Sequence, residues 1–198
     1  MREPLSSVVL NVKRLQQAGE PKRILSLAIQ PPKLNDIERT ILLLKEVGAL
    51  TLKIQHSNGT FTNNPCDGDL TYVGRVMANL PIDVRFSKLI LLGHAFGKLK
   101  EAIIIAAGLS TKTIFTCYFK SNLESFKTKW AWSNGWMCDS ICILNAYEAY
   151  ENAVDSGNFQ NARDHYTWCK NNAIEYDRLR EVINTKSICY VIYISYKL

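Results

Sequence analysis

The segment spanning residues 69–91 constrains the fold more than any other part of the chain. Leu70 and Tyr72 alternate with polar neighbours, which is typical of a strand, and Gly74 interrupts that pattern. Pro81 precedes a longer apolar run, and proline is favoured near the first position of a helix because its missing N–H costs nothing there. The segment therefore predicts a short strand, a turn of helix and a longer helix that begins near Pro81.

The residues before this segment predict helices followed by two strands. Apolar residues recur at helical spacing over residues 5–15 and 37–47, with a short apolar segment between them and Asn35 as a suitable N-cap for the later helix. Residues 50–55 and 70–72 predict two strands joined by a polar loop. Three helices followed by a two-stranded hairpin is the order of a winged-helix domain.

The remainder of the chain predicts a purely helical second domain, with helices at residues 86–96, 99–109, 139–150 and 166–183. Ser187–Leu198 differs because it is β-branched and aromatic with almost no charge, and such a composition prefers an extended form. No strand in the helical half offers this tail an edge, so we expect it to lie outside the core. The alternative is a C-terminal strand packed on the helices. The predicted domains are 1–80, 81–186 and a tail at 187–198.

Composition places the chain among ordinary globular proteins, with 198 residues of which 47% are hydrophobic and 21% charged. No apolar run reaches the roughly 18–20 residues needed to cross a bilayer. Residues 1–20 lack the apolar core of a signal peptide. We therefore expect a cytosolic or nuclear protein, assign it to the cytoplasm with no membrane partner, and expect its six cysteines to be reduced.

The net charge of +6 is unevenly distributed along the chain. Between Lys98 and Trp130 there are six lysines and only two glutamates. Such a lysine cluster can follow a phosphate backbone. It can equally be a solvated helical surface, so composition alone leaves both interpretations open.

The sequence lacks the residues that perform phosphoryl transfer. It contains no G-x-x-x-x-G-K-[ST] loop to hold phosphates, no D-E-A-H to bind magnesium and orient water, and no arginine-finger motif. We therefore expect this chain by itself to have no catalytic residues, no bound cofactor and no ATP hydrolysis.

Cys138, Cys142, His165 and Cys169 form a C-x3-C…H-x3-C pattern in which each pair is spaced to share a helix face. Zinc accepts such ligands, but structural zinc sites use tighter spacing and buried thiols are common on apolar faces. The pattern therefore favours packed thiols over a metal site. Three neighbouring tryptophans likewise favour packing over base stacking, at positions 130, 132 and 136.

An ordered series of residues resembles a segment of the DEAH-box RNA helicases, L-T-x-L-G-R-x-M-A-x-x-P-L-D-P-R-x-x-K-x-L. The matching residues are Leu70, Thr71, Gly74, Arg75, Met77, Ala78, Pro81, Asp83, Arg85 and Lys88. Further on, Ile105-Ala-Ala with Leu109-Ser110, Cys138-Asp139-Ser140 with Leu144-Asn145, and Trp168-Cys169 are similar to the family's I-A-A-x-L-S, S-D-H-L-x-L-L-N and W-C-x-x-N elements. The resemblance covers about residues 2–183, and the sequence departs from the family after Asn184.

This resemblance implies an architecture and a function. In the family the opening segment joins a winged-helix domain to a helical-bundle ratchet domain, both C-terminal to the ATPase motor, which implies a mainly α fold. The chain would be an auxiliary region that grips single-stranded RNA and supports the motor domains, where ATP and magnesium bind. Residues 37–50 are most similar to the Tudor-domain-containing spindle-E type, which implies germline piRNA silencing, piRNA-pathway partners and perinuclear granules. The alternative is a free-standing nucleic-acid-binding or protein-interaction module without a motor.

The resemblance also implies which residues contact RNA, because family members hold single strand in a channel beside the ratchet. A hydroxyl or amide beside a basic side chain suits sequence-independent contact to phosphate and ribose. The alternative is that Ser110 caps a helix end and Asn145 satisfies backbone groups. We expect Arg75 and Arg85 to be structural, pairing with acids such as Asp83. With two members of the lysine cluster included, the candidate RNA-contacting residues are Ser110, Lys112, Thr113, Lys127, Lys129, Asp139 and Asn145.

Overall fold

The computed structural model describes residues 4–15, 20–55, 61–64, 66–116, 122–157 and 159–196. Helices dominate the chain, so the predicted mainly α class is confirmed. The chain divides into two compact units, Met1–Leu91 with Ile192–Leu198, and Leu92–Val191. The division differs from the sequence pattern, which ends the first domain at residue 80. Residues 56–60 and 65 of the polar loop predicted between the two strands lie outside the described residues.

The first unit is built on three helices: α1 (Leu5–Arg14), α2 (Pro21–Leu25) and α3 (Leu34–Glu46). In the apolar stripe predicted for α3, Ile37, Ile41, Leu44 and Val47 are buried, because residues spaced three or four apart share one face of a helix. Leu42, which was predicted to belong to the same stripe, is 54% exposed. The core that these helices form with the segments after them contains Val9, Leu10, Leu25, Ile37, Ile41, Leu44, Val47, Ala49, Leu50, Met77 and Val84.

Two local predictions in the first unit are wrong. α3 begins at Leu34 and no side chain caps it, so Asn35 lies within the first turn and is not the N-cap. β1 (Lys53–Gln55) pairs antiparallel with β2 (Phe61–Asn63), which comes from within the predicted loop. Of the pairing predicted between residues 50–55 and 70–72, only an isolated antiparallel bridge between Leu50 and Leu70 is present. Strand pairing depends on both partners, and the pattern of one short segment does not specify it.

Thr71 explains why residues 70–72 do not continue as a strand. Its hydroxyl accepts a hydrogen bond from the Gly74 N–H at 2.9 Å and caps α4 (Tyr72–Met77). An N-cap hydroxyl of this kind stabilises a helix by about 1 kcal/mol. Gly74 is also required by space, because a Cβ at this position would collide with the backbone oxygen of Ala49.

The helix predicted after Pro81 is present as α5 (Val84–Ala95). Asp83 begins it, because its carboxylate accepts a hydrogen bond from the Arg85 N–H at 2.9 Å and its carbonyl oxygen accepts one from the Ser87 N–H at 2.9 Å. The side-chain bond satisfies an N–H group that the first turn of a helix leaves without a partner.

The second unit is entirely helical within the described residues. Its helices are α6 (Leu99–Ser110), α7 (Asn122–Ala131), α8 (Asp139–Asp155), α9 (Ala162–Asn171) and α10 (Tyr176–Ser195), of which α10 ends in the first unit. Its buried core is formed by Ile104, Ala107, Ile114, Phe115, Cys142, Ile143, Ala146, Tyr147, Tyr150, Cys169, Ile174, Leu179 and Val182. In the part of the chain that the structure describes, no helix is long and apolar enough to cross a membrane.

The single helix predicted at residues 166–183 is two helices, so this prediction is wrong. Ala173 has a φ of +54°, a left-handed conformation that ends α9. Ile174 then forms a bridge with Phe115 before α10 begins. The break is a tertiary effect, because a segment distant in sequence supplies the partner for the connecting backbone.

The expectation that the tail is extended and lies outside the core is also wrong. Residues 187–195 are the last part of α10, and within them Cys189 is 0% and Tyr193 is 7% exposed. These side chains continue the buried stripe of Leu179 and Val182 at helical spacing. Intrinsic β preference amounts to about 1 kcal/mol at most, so burial of a helical stripe overrides it.

Glu151 joins three helices of the second unit through ion pairs. Its carboxylate lies 2.8 Å from the Lys100 Nζ on α6 and 2.7 Å from the Lys186 Nζ on α10. The Lys186 ammonium also lies 5.0 Å from the centre of the Tyr147 ring, within the range of a cation–π interaction. Burial raises the pKa of Glu151, but the hydrogen bonds from Lys100 and Lys186 outweigh it, so that the pKa is lowered.

Removal of residues 187–198 is expected to destabilise the protein, because it deletes the buried Cys189 and Tyr193 side chains. Loss of a large buried side chain costs about 2–5 kcal/mol, so the melting temperature should fall by at least several degrees. Circular dichroism melts of the full and shortened chains measure it. Substituting the exposed Tyr190 and Val191 with Ser in the full chain is the control and should change little. An unchanged melting temperature after truncation would contradict a packed tail.

The Glu151→Gln variant is expected to be less stable than the wild type by an amount that depends on pH. Because folding lowers the pKa of this carboxylate from 4.5, its contribution is present above the unfolded pKa and is lost as pH falls through the folded pKa. The difference in unfolding free energy should therefore be largest near pH 7 and shrink below about pH 4.5. Urea titrations at several pH values measure it. Glu181→Gln, on the exposed side of α10, should show no such trend.

Candidate nucleic-acid interface

A cleft in the second unit collects three of the predicted RNA-contacting residues, Thr113, Lys129 and Asp139. It lies where the end of α6, the loop that follows it, α7 and the start of α8 meet, and its volume is about 160 Å³. The described residues that line it are Gly108, Leu109, Thr111, Thr113, Phe115, Lys129, Asp139 and Ile143. The cleft therefore has an apolar floor and a rim of hydroxyl and charged groups.

The floor of the cleft depends on close packing between α6 and α8. Gly108 is buried in α6 and faces Ile143 of α8. A Cβ at position 108 would collide with the Cγ2 methyl of Ile143. Glycine therefore allows the two helices to approach closely enough to form one wall, although glycine within a helix costs about 1 kcal/mol relative to alanine.

The loop after α6 begins by closing the end of that helix. The Ser110 hydroxyl donates to the Ala107 carbonyl oxygen at 2.8 Å, and the Thr111 hydroxyl lies 3.3 Å from the same oxygen. The carbonyl groups in the last turn of a helix otherwise have no partner. Ser110 therefore caps the end of α6, as the alternative interpretation of this residue expected. Its hydroxyl group already donates to the Ala107 carbonyl oxygen.

The next residues hold Lys112 and Thr113 at the surface. Both are exposed, whereas Ile114 and Phe115 directly after them are 1% and 4% exposed. The Ile114 carbonyl oxygen accepts a hydrogen bond from the Glu175 N–H at 2.8 Å. Two buried side chains and a backbone bond to a distant segment thus fix the base of the loop.

A guanidinium group also supports this loop, and sequence reasoning did not identify it. Arg178 on α10 donates to the Thr113 carbonyl oxygen at 2.9 Å and lies 3.6 Å from the carboxylate of Glu175. The two contacts orient Thr113 toward the cleft. Residues 113 and 178 are 65 positions apart, so no local pattern in the sequence could have related them.

Lys129 and Asp139 form an ion pair across the mouth of the cleft. The Lys129 Nζ lies 2.7 Å from the Asp139 Oδ1, with the lysine side chain 26% and the aspartate 60% exposed. The ammonium is also 6.0 Å from the centre of the Phe115 ring and 5.6 Å from that of Trp130. The acid holds the ammonium in place and offsets part of its charge, as expected for a partly exposed pair.

Two of the predicted residues lie apart from the cleft. Lys127 is exposed on α7 and is not among the lining residues, because two positions on a helix correspond to a rotation of about 200° from Lys129. Asn145 donates from its Nδ2 to the Trp132 carbonyl oxygen at 2.7 Å. The alternative interpretation of Asn145, satisfaction of a backbone group, therefore describes its contact.

The pairing expected for Arg75 and Arg85 with Asp83 is wrong. Asp83 accepts from the backbone N–H of Arg85 and not from its guanidinium. No ion pair of either arginine is found among the described residues, where the Asp83 carboxylate serves the start of α5. The guanidinium of Arg75 lies instead at a cleft in the first unit.

The cysteines and tryptophans considered as possible sites are mostly packed. Cys142 and Cys169 are buried, and burial raises the pKa of the Cys169 thiol to about 12. His165 hydrogen-bonds through Nδ1 to the Tyr150 hydroxyl at 2.7 Å. No group of three His, Cys, Asp or Glu side chains suited to a metal is found within the described residues. Trp130 and Trp132 pack against the core, whereas Trp136 is 74% exposed.

Comparison with known proteins identifies the region to which the cleft belongs. Residues 83–173, which include every lining residue of the cleft, match the family described as the helicase associated domain (HA2), ratchet-like. The chain is 44% identical over 182 residues to ATP-dependent RNA helicase TDRD9 of Rattus norvegicus and 43% identical to that of Homo sapiens. It is 44% identical over 184 residues to probable ATP-dependent RNA helicase spindle-E of Drosophila melanogaster.

Each of these matches includes 92% of this chain. The chain spans only 13% of the length of the two TDRD9 proteins and 12% of the spindle-E protein. The predicted resemblance to the helicase-associated region of RNA helicases of the spindle-E type is confirmed.

The Gly108→Ala substitution is expected to destabilise the second unit, because the new methyl collides with Ile143. Overpacking of this kind costs about 1–3 kcal/mol. Urea unfolding of Gly108→Ala, Ile143→Ala and the double variant gives the coupling energy between the two positions. The double variant should be more stable than the sum of the single changes predicts. Strict additivity would show that the helices do not depend on this contact.

Proposed function

We propose that this chain, a member of the ratchet-like helicase-associated family over residues 83–173, is the auxiliary RNA-gripping region of an ATP-dependent RNA helicase. The observation that carries the proposal is the cleft of the second unit, where Thr113, Lys129 and Asp139 meet. Its relatives are named as ATP-dependent RNA helicases. A ratchet region next to a motor has to hold a strand without reading its sequence, and these groups suit that task.

The chemistry of the cleft favours the phosphate and ribose of a single strand. Lys112 is exposed on the loop. The Lys129 ammonium can donate hydrogen bonds and lies beside the partly exposed carboxylate of Asp139. In the absence of RNA the ion pair with Asp139 would keep the Lys129 ammonium at the cleft. When RNA binds, a phosphate oxygen would compete with Asp139 for this ammonium. Hydroxyl groups of Thr111 and Thr113 would complete contacts that carry no base information.

The remaining candidates have different roles in this proposal. Lys127 would attract the strand through its charge without entering the cleft. Asn145 and Ser110 would position backbone segments around it through the hydrogen bonds that they already make. Asp139 would position Lys129. RNA contact therefore rests mainly on Lys112, Thr113 and Lys129.

The motor functions would reside in the rest of the parent protein. The sequence of this chain has no phosphate-binding loop and no D-E-A-H, so ATP and magnesium would bind in motor domains that are partners of this region. The first unit, with helices preceding a short antiparallel hairpin, would be a winged-helix scaffold for those domains. Purified chain should release no phosphate from ATP with or without RNA, and RNA-stimulated release would overturn this assignment.

The likeness to spindle-E and TDRD9 proteins supports a role in germline piRNA silencing. We propose that the parent protein acts in the cytoplasm, in perinuclear granules of germ cells, beside other proteins of that pathway. Imaging of the tagged parent protein in germ cells tests this. Uniform nuclear staining, with no effect of its depletion on piRNA abundance, would contradict the assignment.

Replacement of Lys112, Lys127 and Lys129 together by Ala is expected to weaken binding of single-stranded RNA regardless of sequence. Each phosphate contact contributes about 0.7 to the slope of log affinity against log salt for a single strand. Loss of the two phosphate contacts of Lys112 and Lys129 should therefore make that slope shallower by about 1.4. Fluorescence anisotropy with two unrelated labelled oligomers, measured from 50 to 200 mM salt (concentrations on the order used to define such slopes), gives the numbers.

The matched control replaces three lysines that are exposed elsewhere on the chain, Lys33, Lys53 and Lys170. It changes the net charge by the same amount, so any effect of charge alone appears in both variants. The proposal requires the control to retain most of the wild-type slope. Equal losses in the two variants, or an affinity that does not depend on salt, would exclude the cleft as the RNA site.

A further inference from the structure

A second cleft lies in the first unit and has no part in the function proposed above. Its volume is about 330 Å³. Its lining comes from the end of α1, from α4 and from the segment before α4, and consists of Lys13, Arg14, Asp69, Leu70 and Arg75. Among the described residues, three cationic side chains and one carboxylate thus face the same concave surface beside the apolar Leu70.

Lys13 is largely occupied by an internal ion pair. Its Nζ lies 2.8 Å from the Asp67 Oδ1, and the two side chains are only 12% and 11% exposed. A pair this sheltered holds α1 against the segment before α4, and removing one partner would leave a poorly solvated charge. Lys13 therefore forms the base of the cleft and leaves ligand contact to the other two cations.

Asn79 forms hydrogen bonds with both Arg14 and Arg75. Its Oδ1 accepts a hydrogen bond from the Arg14 Nη1 at 2.6 Å, and its Nδ2 donates to the Arg75 carbonyl oxygen at 2.7 Å. One amide thus ties the guanidinium of α1 to the backbone of α4. Arg14 uses one of its five N–H donors in this contact, and the others remain for a ligand.

Arg75 and Asp69 provide the unused polar groups of this cleft. Both residues are exposed, and among the described residues nothing accepts from the Arg75 guanidinium or donates to the Asp69 carboxylate. The hydrogen bonds that these residues make involve their backbone atoms. An arginine fork and a carboxylate therefore face one cavity without satisfying each other.

We propose that this cleft binds one step of an RNA backbone, with a phosphodiester on Arg75 and Arg14 and the ribose 2′-hydroxyl on Asp69. A guanidinium fork matches the oxygens of a phosphate. Three cations and the two carboxylates of Asp67 and Asp69 leave a net charge of +1, which matches one phosphodiester. The 2′-hydroxyl is a donor that Asp69 can accept, and it distinguishes RNA from DNA.

The lining favours RNA over an acidic peptide. A run of carboxylate side chains would bring a second negative charge against Asp69, whereas a nucleotide step presents one charge and one hydroxyl. None of the described residues that line the cleft is aromatic, so these residues offer no surface for base stacking and binding would be independent of sequence. This site extends the proposed function, since it adds an RNA contact in the first unit that is separate from the cleft of the second.

The test measures binding of the 198-residue chain to a single-stranded RNA and to the DNA of the same sequence. Arg75→Ala should lower affinity for RNA about threefold to tenfold at low salt and make the salt slope shallower by about 0.7. Asp69→Asn should reduce the preference for RNA over DNA. Arg85→Ala is the matched control, because Arg85 is exposed in the same unit and lies outside the cleft. Its affinity should equal that of the wild type.

Several results would overturn the inference. An Arg75→Ala affinity equal to that of Arg85→Ala would do so, as would an unchanged RNA preference in Asp69→Asn. Binding of a glutamate-rich peptide that is lost in Arg75→Ala while RNA binding persists would assign the cleft to an acidic protein partner instead. Melting temperatures within a few degrees of wild type verify folding, which is expected because neither side chain has a hydrogen-bond or ion-pair partner among the described residues.

The two RNA proposals can fail separately. If Arg75→Ala leaves RNA affinity unchanged while the triple lysine substitution lowers it, only the RNA site proposed in the first unit is overturned. If the triple lysine substitution leaves RNA affinity unchanged while Arg75→Ala lowers it, only the RNA site proposed in the second unit is overturned. A variant that combines Arg75→Ala with the triple lysine substitution should weaken RNA binding by about the product of the two separate fold-changes. The reason is that the two clefts share no described residues.

Discussion

Close packing of α6 against α8 at Gly108 is the contact on which the second unit depends. The absence of a side chain at this position makes room for Ile143, so the two helices approach closely at this point. The loop after α6 then leaves at a fixed point, and the start of α8 brings Asp139 within reach of Lys129. A bulkier residue would separate these elements and open the cleft, because protein interiors are too densely packed to absorb an added methyl freely.

Backbone hydrogen bonds between distant segments complete the site. The carbonyl oxygen of Ile114 accepts from Glu175, and the Thr116 N–H donates to Ala173. Ala173 adopts its positive φ where α9 ends, so one irregular connection both separates two helices and fixes the loop that presents Lys112 and Thr113. The charged groups are added to this frame and do not create it, since exposed ion pairs contribute little to stability.

Residue types predicted part of the candidate site, but not how its members are arranged. Thr113 and Asp139, which the family resemblance suggested, and Lys129, which the lysine cluster suggested, meet in one cleft. Asn145 and Ser110 have the right chemistry for RNA, yet both side chains make hydrogen bonds to carbonyl oxygens of the chain itself. Lys127 belongs to the same lysine cluster as Lys129 and faces elsewhere, because a helix rotates about 100° at each residue. Arg178 lay outside every local pattern and supports the loop through a contact 65 positions away.

The sequence by itself determined the mainly α class, most of the buried stripe of α3, and the similarity of residues 83–173 to the helicase associated domain, because periodicity and ordered motifs are properties of neighbouring residues. Tertiary structure decided the rest. Thr71 became a helix cap and not part of a strand because Gly74 lies beside its hydroxyl and the backbone of Ala49 excludes any larger residue. The residues after Ser187, extended by composition, are helical because Cys189 and Tyr193 find buried positions on one face of α10. At Thr71 the distant element is the backbone of Ala49, which leaves room only for glycine at position 74. In α10 the free energy of burying Cys189 and Tyr193 exceeds the local preference of the backbone for an extended form.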